Sequence, residues 1–297
     1  MSTWIVLAIL AQLISAITVF VDKYVLVHKE HVGKPIVYAF YISLLSGFVF
    51  VLIPFGVLSI PPLAILALAF LDSCLFVFGL ISLYTALKEG HASDVVPVVG
   101  SISAIATAVC AYQWLAHDLP HSFIPAFGFM VLGMHLISRF RLTRRQQFFV
   151  LLAGLSFGIM AFTTKIILLH TVFLDGFFWT RAMNVVVALL LLTIPHFRKT
   201  IFKGYRGSSH GTRWLVVSNK ALNGVATALT LLAISLGSVS IVQALTGLQF
   251  VFLVLFAYLF SSSFPKMLKG EFEKKGRTQK FIGIGCIVVG LVFLFAQ

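Results

Sequence analysis

Long apolar runs recur along the whole chain, and they do not alternate with polar residues. Stretches such as LALAFL and VVVALLLL are continuous, whereas a strand of a membrane β-barrel alternates apolar and polar positions. A membrane-crossing helix needs about 20 apolar residues. The chain has 297 residues, of which 60% are hydrophobic and 10% charged, with mean hydropathy +1.04. Soluble domains carry about 25% charged residues. In water this chain would expose far too much apolar surface. We therefore expect an all-α integral membrane protein with spans at 3–27, 35–58, 62–87, 92–115, 121–139, 147–170, 176–196, 214–236, 238–261 and 279–296. The first run does not read as a cleaved leader, because no basic residue precedes it and Asp22 and Lys23 interrupt its end.

The ten runs fall into two similar sets. The stretch from Tyr84 to Ser138 returns between Leu232 and Leu294. An offset of 147 carries Gly90 to Gly237, Ser93 to Ser240 and Asp72 to Asn219. An offset of 142 carries Leu13 to Leu155, Phe20 to Phe162, Lys23 to Lys165 and Leu26 to Leu168. An offset of 157 carries Gly128 to Gly285 and Gly133 to Gly290. The expected halves are 1–140 and 141–297, each of five spans and joined in one membrane domain. An odd number of crossings sets the second half upside down relative to the first. Such inverted repeats are common in secondary transporters.

The formal charge of +13 could suggest nucleic acid, but the basic residues lie mostly in connections on one side of the expected bundle. They include Lys34, Lys88, Arg144 and Arg145, and the long connections HFRKTIFKGYRGSSHGTR and SSFPKMLKGEFEKKGR. These two read as solvated loops with room for a short surface helix. The opposite connections hold no Lys or Arg. The positive-inside rule then puts the basic side in the cytoplasm and both termini outside, in a plasma or inner membrane. Cys74, Cys110 and Cys286 are far apart within apolar runs and read as small core residues.

This pattern resembles the drug/metabolite transporter superfamily of EamA type. The resemblance rests on the duplicated five-span order, on Gly90, Ala92, Ser93 and Pro97 opening the fourth span, and on Gly283 and Gly290 in the last. Members usually carry Gly-Glu between spans four and five and between nine and ten, where this chain has His117-Asp118 and Ser261-Ser262. The resemblance implies ten helices and the transport of small solutes. It implies no enzyme activity and no cofactor.

Ionisable residues inside spans cost about 2.5–3.5 kcal/mol each on insertion scales and mark function by default. Six stand out: Asp22, Lys23, Asp72, Lys165, Arg181 and Lys220. We expect pairs between the halves, Asp22 with Lys220 and Asp72 with Lys165, that break and form to gate access. Four cations against two anions point to an anionic substrate. Gln12 heads a polar stripe with Ser15, Thr18 and Asp22. Asn223 continues one from Lys220 to Thr227 and Thr230. Asn184 lies one turn from Arg181, and Gln243 is a further cavity candidate, as are Tyr38, Tyr41 and Trp179. The seam of Gly154 and Gly158 reads as close helix packing.

The expected function is secondary transport of a small anionic metabolite by alternating access through a central cavity. The expected partners are that solute, the bilayer, and a coupling proton or exchanged solute, with no nucleic acid. The alternative is a membrane-embedded enzyme or a lipid-handling scaffold without flux. His117 with His121, and His28 with His31, sit in connections and read as solvated residues, so no metal is expected. No phosphate-cradling Gly loop or nucleophile elbow is present.

Overall fold

A backbone in hydrocarbon must satisfy its own N–H and C=O groups, which favours helices wherever the apolar runs lie. The computed structural model describes residues 3–28, 34–90, 92–114, 123–137, 142–206, 209–259 and 274–295. Among the described residues there is no strand. The helices are α1 (Thr3–His28), α2 (Pro35–Leu45) continued by a 3-10 segment (Ser46–Phe55), α3 (Leu63–Glu89), α4 (Ala92–Trp114), α5 (Phe123–Ile137) and α6 (Arg144–His170). Then follow α7 (Phe173–Leu191), α8 (Pro195–Arg206), α9 (His210–Leu236), α10 (Val239–Ala244), α11 (Thr246–Leu259) and α12 (Lys274–Phe295).

Seven of the described spans are long and apolar enough to cross a membrane: α1, α2 with its 3-10 continuation, α3, α4, α6, α7 and α9. Three shorter apolar helical stretches lie at Ile124–Leu136, Val239–Leu253 and Phe281–Gly290. Large apolar side chains such as Phe55, Ile60, Leu63 and Ile124 are exposed, while Asp22, Lys23, Asp72, Lys165, Arg181 and Lys220 are buried. That reverses the order of a soluble domain and is compatible with a multi-pass membrane protein.

The helix ends depart from the expected spans for local reasons. The second span does not stay α-helical to residue 58. It tightens into the 3-10 segment, where Pro54 cannot donate to a carbonyl one turn back, and stops at Gly56 in the left-handed region with φ of 64°. The ninth expected span is divided between α10 and α11 at Leu245. Helix α7 begins three residues earlier than expected. Asp175 lies in its first turn, where a carboxylate is favoured, and accepts hydrogen bonds from the Ser59 N–H at 2.9 Å and from the Ser59 hydroxyl. Helix α6 starts at Arg144 behind a capping box in which Thr143 and Gln146 satisfy each other's N–H groups. The first long basic connection contains α8, whose Ile201 is buried beside Phe40 and Ala188.

In the packed molecule α3 lies against α6, α1 against α9, and α4 against α6. The Gly154 and Gly158 seam meets α4. A Cβ there would stand 2.6 Å from Ile102 Cβ and 2.6 Å from Ala106 Cβ respectively. Thr107 donates across the seam to the Gly158 carbonyl at 3.0 Å. Helices α5 and α12 cross with their backbones close together. A Cβ on Gly133 would lie 2.5 Å from the Gly283 carbonyl oxygen, and one on Gly290 would lie 2.7 Å from the Ala126 carbonyl oxygen. A Cβ on Gly128 or Gly285 would meet nothing within 4 Å outside its own helix among the described residues. Gly133→Ala and Gly290→Ala are each expected to destabilise the protein by about 1–3 kcal/mol, because backbone cannot move aside as a side chain would. Gly128→Ala and Gly285→Ala should stay within about 0.5 kcal/mol. Unfolding in mixed micelles would separate the two pairs.

Candidate functional site

The six ions marked in the sequence are buried on α1, α3, α6, α7 and α9. Two of the three buried lysines, Lys23 and Lys165, bind at the ends of other helices. Lys23 on α1 donates from Nζ to the carbonyls of Leu87 at 2.6 Å and Gly90 at 2.5 Å, at the C-terminus of α3. Lys165 on α6 donates to the carbonyls of Ile234 at 2.8 Å and Gly237 at 3.0 Å, at the C-terminus of α9. The last carbonyls of a helix have no partner within it and carry the negative end of its dipole. A buried ammonium satisfies both. The expected partnership of Lys165 with Asp72 does not form, because these backbone carbonyls hold the ammonium.

The two acids are held by side chains. Asp22 accepts from the Tyr38 hydroxyl at 2.5 Å, the Tyr84 hydroxyl at 3.2 Å and the Asn219 amide at 2.6 Å. Asn219 also donates to the Thr18 carbonyl at 3.1 Å, so it ties α9 to α1 twice. Lys220, beside it in sequence, acts on Asp22 through its charge. Asp72 accepts from the Thr163 hydroxyl at 2.9 Å and the Thr164 hydroxyl at 2.7 Å. Arg181 acts on Asp72 through its charge.

These contacts follow the sequence offsets. The offset of 142 that carries Lys23 to Lys165 also carries Asp22 to Thr164. The offset of 147 carries Leu87 to Ile234, Gly90 to Gly237 and Asp72 to Asn219. The bond from Asn219 to Asp22 in one place thus corresponds to the bond from Thr164 to Asp72 in the other. Along α5 and α12 the offset of 157 carries Ala126, Met130 and Gly133 to Gly283, Ile287 and Gly290. Those six residues contact each other reciprocally across the crossing.

Between the acids sits a cationic pair. The Arg181 guanidinium and the Lys220 ammonium both approach the Phe76 ring, at 5.6 Å and 5.7 Å from its centroid. Such contacts offset part of the cost of burying a cation. Both residues line a cavity of about 500 Å³ between the 3-10 segment, α7 and α9, with Phe177 and Thr227 on its wall. A Cβ added at Gly224, also on that wall, would meet nothing within 4 Å. Arg181 Nε, both amide atoms of Asn184 and Asp72 Oδ2 are buried without a hydrogen-bond partner among the described residues. Buried polar groups are ordinarily satisfied, so this corner holds unused donors and acceptors beside two cations that the acids only partly offset.

The other candidates are spread more widely. Gln12 is buried on α1, and Asn223 and Gln243 are half-buried. Thr227 and Thr230 turn their hydroxyls back to the carbonyls of Asn223 and Ala226 at 2.8 and 2.9 Å, which explains that stripe without a solute. Trp179 Nε1 donates to the Ser59 carbonyl at 2.9 Å, and the Tyr41 hydroxyl to the Ile201 carbonyl at 3.5 Å. His31, His117 and His121 lie outside the described residues, as do the Asp118 and Ser261-Ser262 positions. Tyr84, Phe76, Thr163 and Thr164 were not marked by charge or spacing. Asn219 was marked only as the position onto which Asp72 falls.

No family model and no curated protein matches this chain. One solved crystal structure, of a protein carrying no functional name, is similar over 96% of each chain, with a TM-score of 0.63 at 11% identity. At that identity the likeness is one of fold alone.

Proposed function

We propose that the protein is a secondary transporter that moves a small anionic metabolite across a membrane by alternating access. The seven long apolar helices and the three shorter ones together make the ten crossings of two inverted five-helix repeats. The observation that carries this reading is the reciprocal set of contacts at the offsets of 142 and 147: Lys23 and Lys165 on matching helix ends, and Asp22 and Asp72 on matching partners. The chain begins on one side of the membrane and its connections alternate. The Lys23 contact therefore lies near the basic side and the Lys165 contact near the other. Two equivalent closures at opposite faces are what a carrier needs if it opens one face at a time.

The anion is the part of the reading supported by charge. Helix α9 rises about 1.5 Å per residue, so Lys220 lies about 15 Å from its start at His210, near the middle of a 27-residue helix. Arg181 lines the same cavity. Two cations focused in a low-dielectric pocket attract a carboxylate or phosphate.

Alternating access is tested with Thr227→Cys on the cavity wall, in a chain with Cys74, Cys110 and Cys286 changed to serine. A membrane-impermeant thiol reagent is expected to reach that cysteine from either face of sealed vesicles. Excluding one face with an anion gradient should lower labelling from that face and raise it from the other. Labelling from a single face under every gradient would sink the alternation.

A further inference from the structure

A second hollow lies away from the cation pair, between α2, α3, α7 and α8. Its volume is about 950 Å³. Its walls are apolar, with Val77, Phe78 and Ile81 on α3 facing Val187 and Leu191 on α7. Its rim is polar and basic. Lys88 and Glu89 come from the end of α3, Arg145 from the start of α6, and His196 from the start of α8. Arg145 Nη1 stands 3.3 Å from Glu89 Oε1, and Lys88 has no ion pair among the described residues. Arg198 and Lys199 on α8 are exposed next to it.

From this hollow we infer a binding site for an anionic phospholipid of the basic-side leaflet, with its headgroup at Lys88, Arg145 and His196 and an acyl chain between α3 and α7. The depth fits. The hollow runs along α3 from Lys88 to Cys74, 14 residues and so about 21 Å at 1.5 Å per residue. Half of a hydrocarbon core of about 30 Å, plus one headgroup layer, comes to a similar length. The chemistry is graded in the same direction, charged at one end and apolar along the rest. A water-soluble anion would leave those apolar walls unfilled. Phe78 is 49% exposed, so the hollow opens along the flank of the bundle rather than into its centre. Each Lys or Arg near an anionic lipid surface raises affinity about fivefold. The site does not depend on what the central cavity carries.

The full-length protein, purified and stripped of lipid, would be titrated with equal phosphatidylglycerol and phosphatidylcholine and read by native mass spectrometry. The wild type is expected to retain about tenfold more phosphatidylglycerol. Lys88→Gln with Arg145→Gln should bring the two lipids to parity; both side chains are exposed, so the fold survives the change. Ile81→Trp, which fills the hollow, should lower retention of both. Glycerophosphoglycerol, the headgroup without chains, should not compete at equal concentration. Equal retention of both lipids by the wild type would overturn the site. So would a preference that persists in both variants, or competition by the chainless headgroup.

Discussion

Replacing both Arg181 and Lys220 by glutamine is expected to raise the apparent KM for a transported anion about a hundredfold, with each single replacement raising it about tenfold. A hydrogen bond to a charged group is worth about 1.5–3 kcal/mol, and about 1.4 kcal/mol corresponds to a tenfold change in affinity. Both cations are buried against the same Phe76 ring, so neither can be replaced by counterions from bulk water. The loss should appear in KM more than in maximal rate, because these groups hold the solute while the closures at the two faces control its passage. Lys199→Gln, exposed on α8, should leave the kinetics unchanged. Equal loss from Lys199→Gln would mean that surface charge, not the cavity pair, sets affinity.

The largest effect on stability is expected from Asp72→Ala, at about 3–5 kcal/mol. The carboxylate is 1% exposed. Its removal leaves the Thr164 hydroxyl without its acceptor and the Arg181 charge without its compensating neighbour, while the Thr163 hydroxyl keeps the Met160 carbonyl at 2.8 Å. Part of that cost belongs to the stranded cation rather than to the lost bonds. Adding Arg181→Leu to Asp72→Ala should therefore recover about 0.5–3 kcal/mol, the range of coupling found between residues of one network. Unfolding of the two single variants and the double variant in mixed micelles measures that coupling. Strict additivity would show that Asp72 is held by its threonines alone.

Much of the architecture was legible because hydrocarbon imposes a simple rule. An apolar run of sufficient length must become a helix, so the cores of α1, α3, α4, α6, α7 and α9 lie where the runs lie. The ends were less legible. Asp175 looked like a connection residue, yet a carboxylate in the first turn of α7 also accepts from Ser59. The segment from Ser46 reads as uniformly apolar, and nothing in that apolarity separates a 3-10 coil from an α-helix.

The buried charges were equally visible, because an ion inside a span is rare. Their partners were not. Lys23 and Lys165 bind backbone carbonyls, and every residue carries one, so no side chain marked Leu87, Gly90, Ile234 or Gly237 as acceptors. Pairing acids with lysines by charge alone therefore did not anticipate the carbonyls that hold Lys165 in this structure. Phe76 is one of 30 phenylalanines, and only its place between two cations distinguishes it. Asn219 is the instructive case. Its alignment with Asp72 was readable from the offset of 147, and the structure gives it the matching task in the other half of the chain, bonding Asp22.

Solute flux tests the transport reading most directly. Proteoliposomes would be loaded with a cell metabolite extract and their loss of contents read by mass spectrometry, with folding verified for each preparation. The reading predicts selective loss of a few organic anions through the wild type, and none of that loss through the variant carrying Arg181→Gln and Lys220→Gln. No selective loss of any solute through folded wild type would contradict transport. Loss of neutral or cationic solutes that the double variant does not change would contradict the anion site.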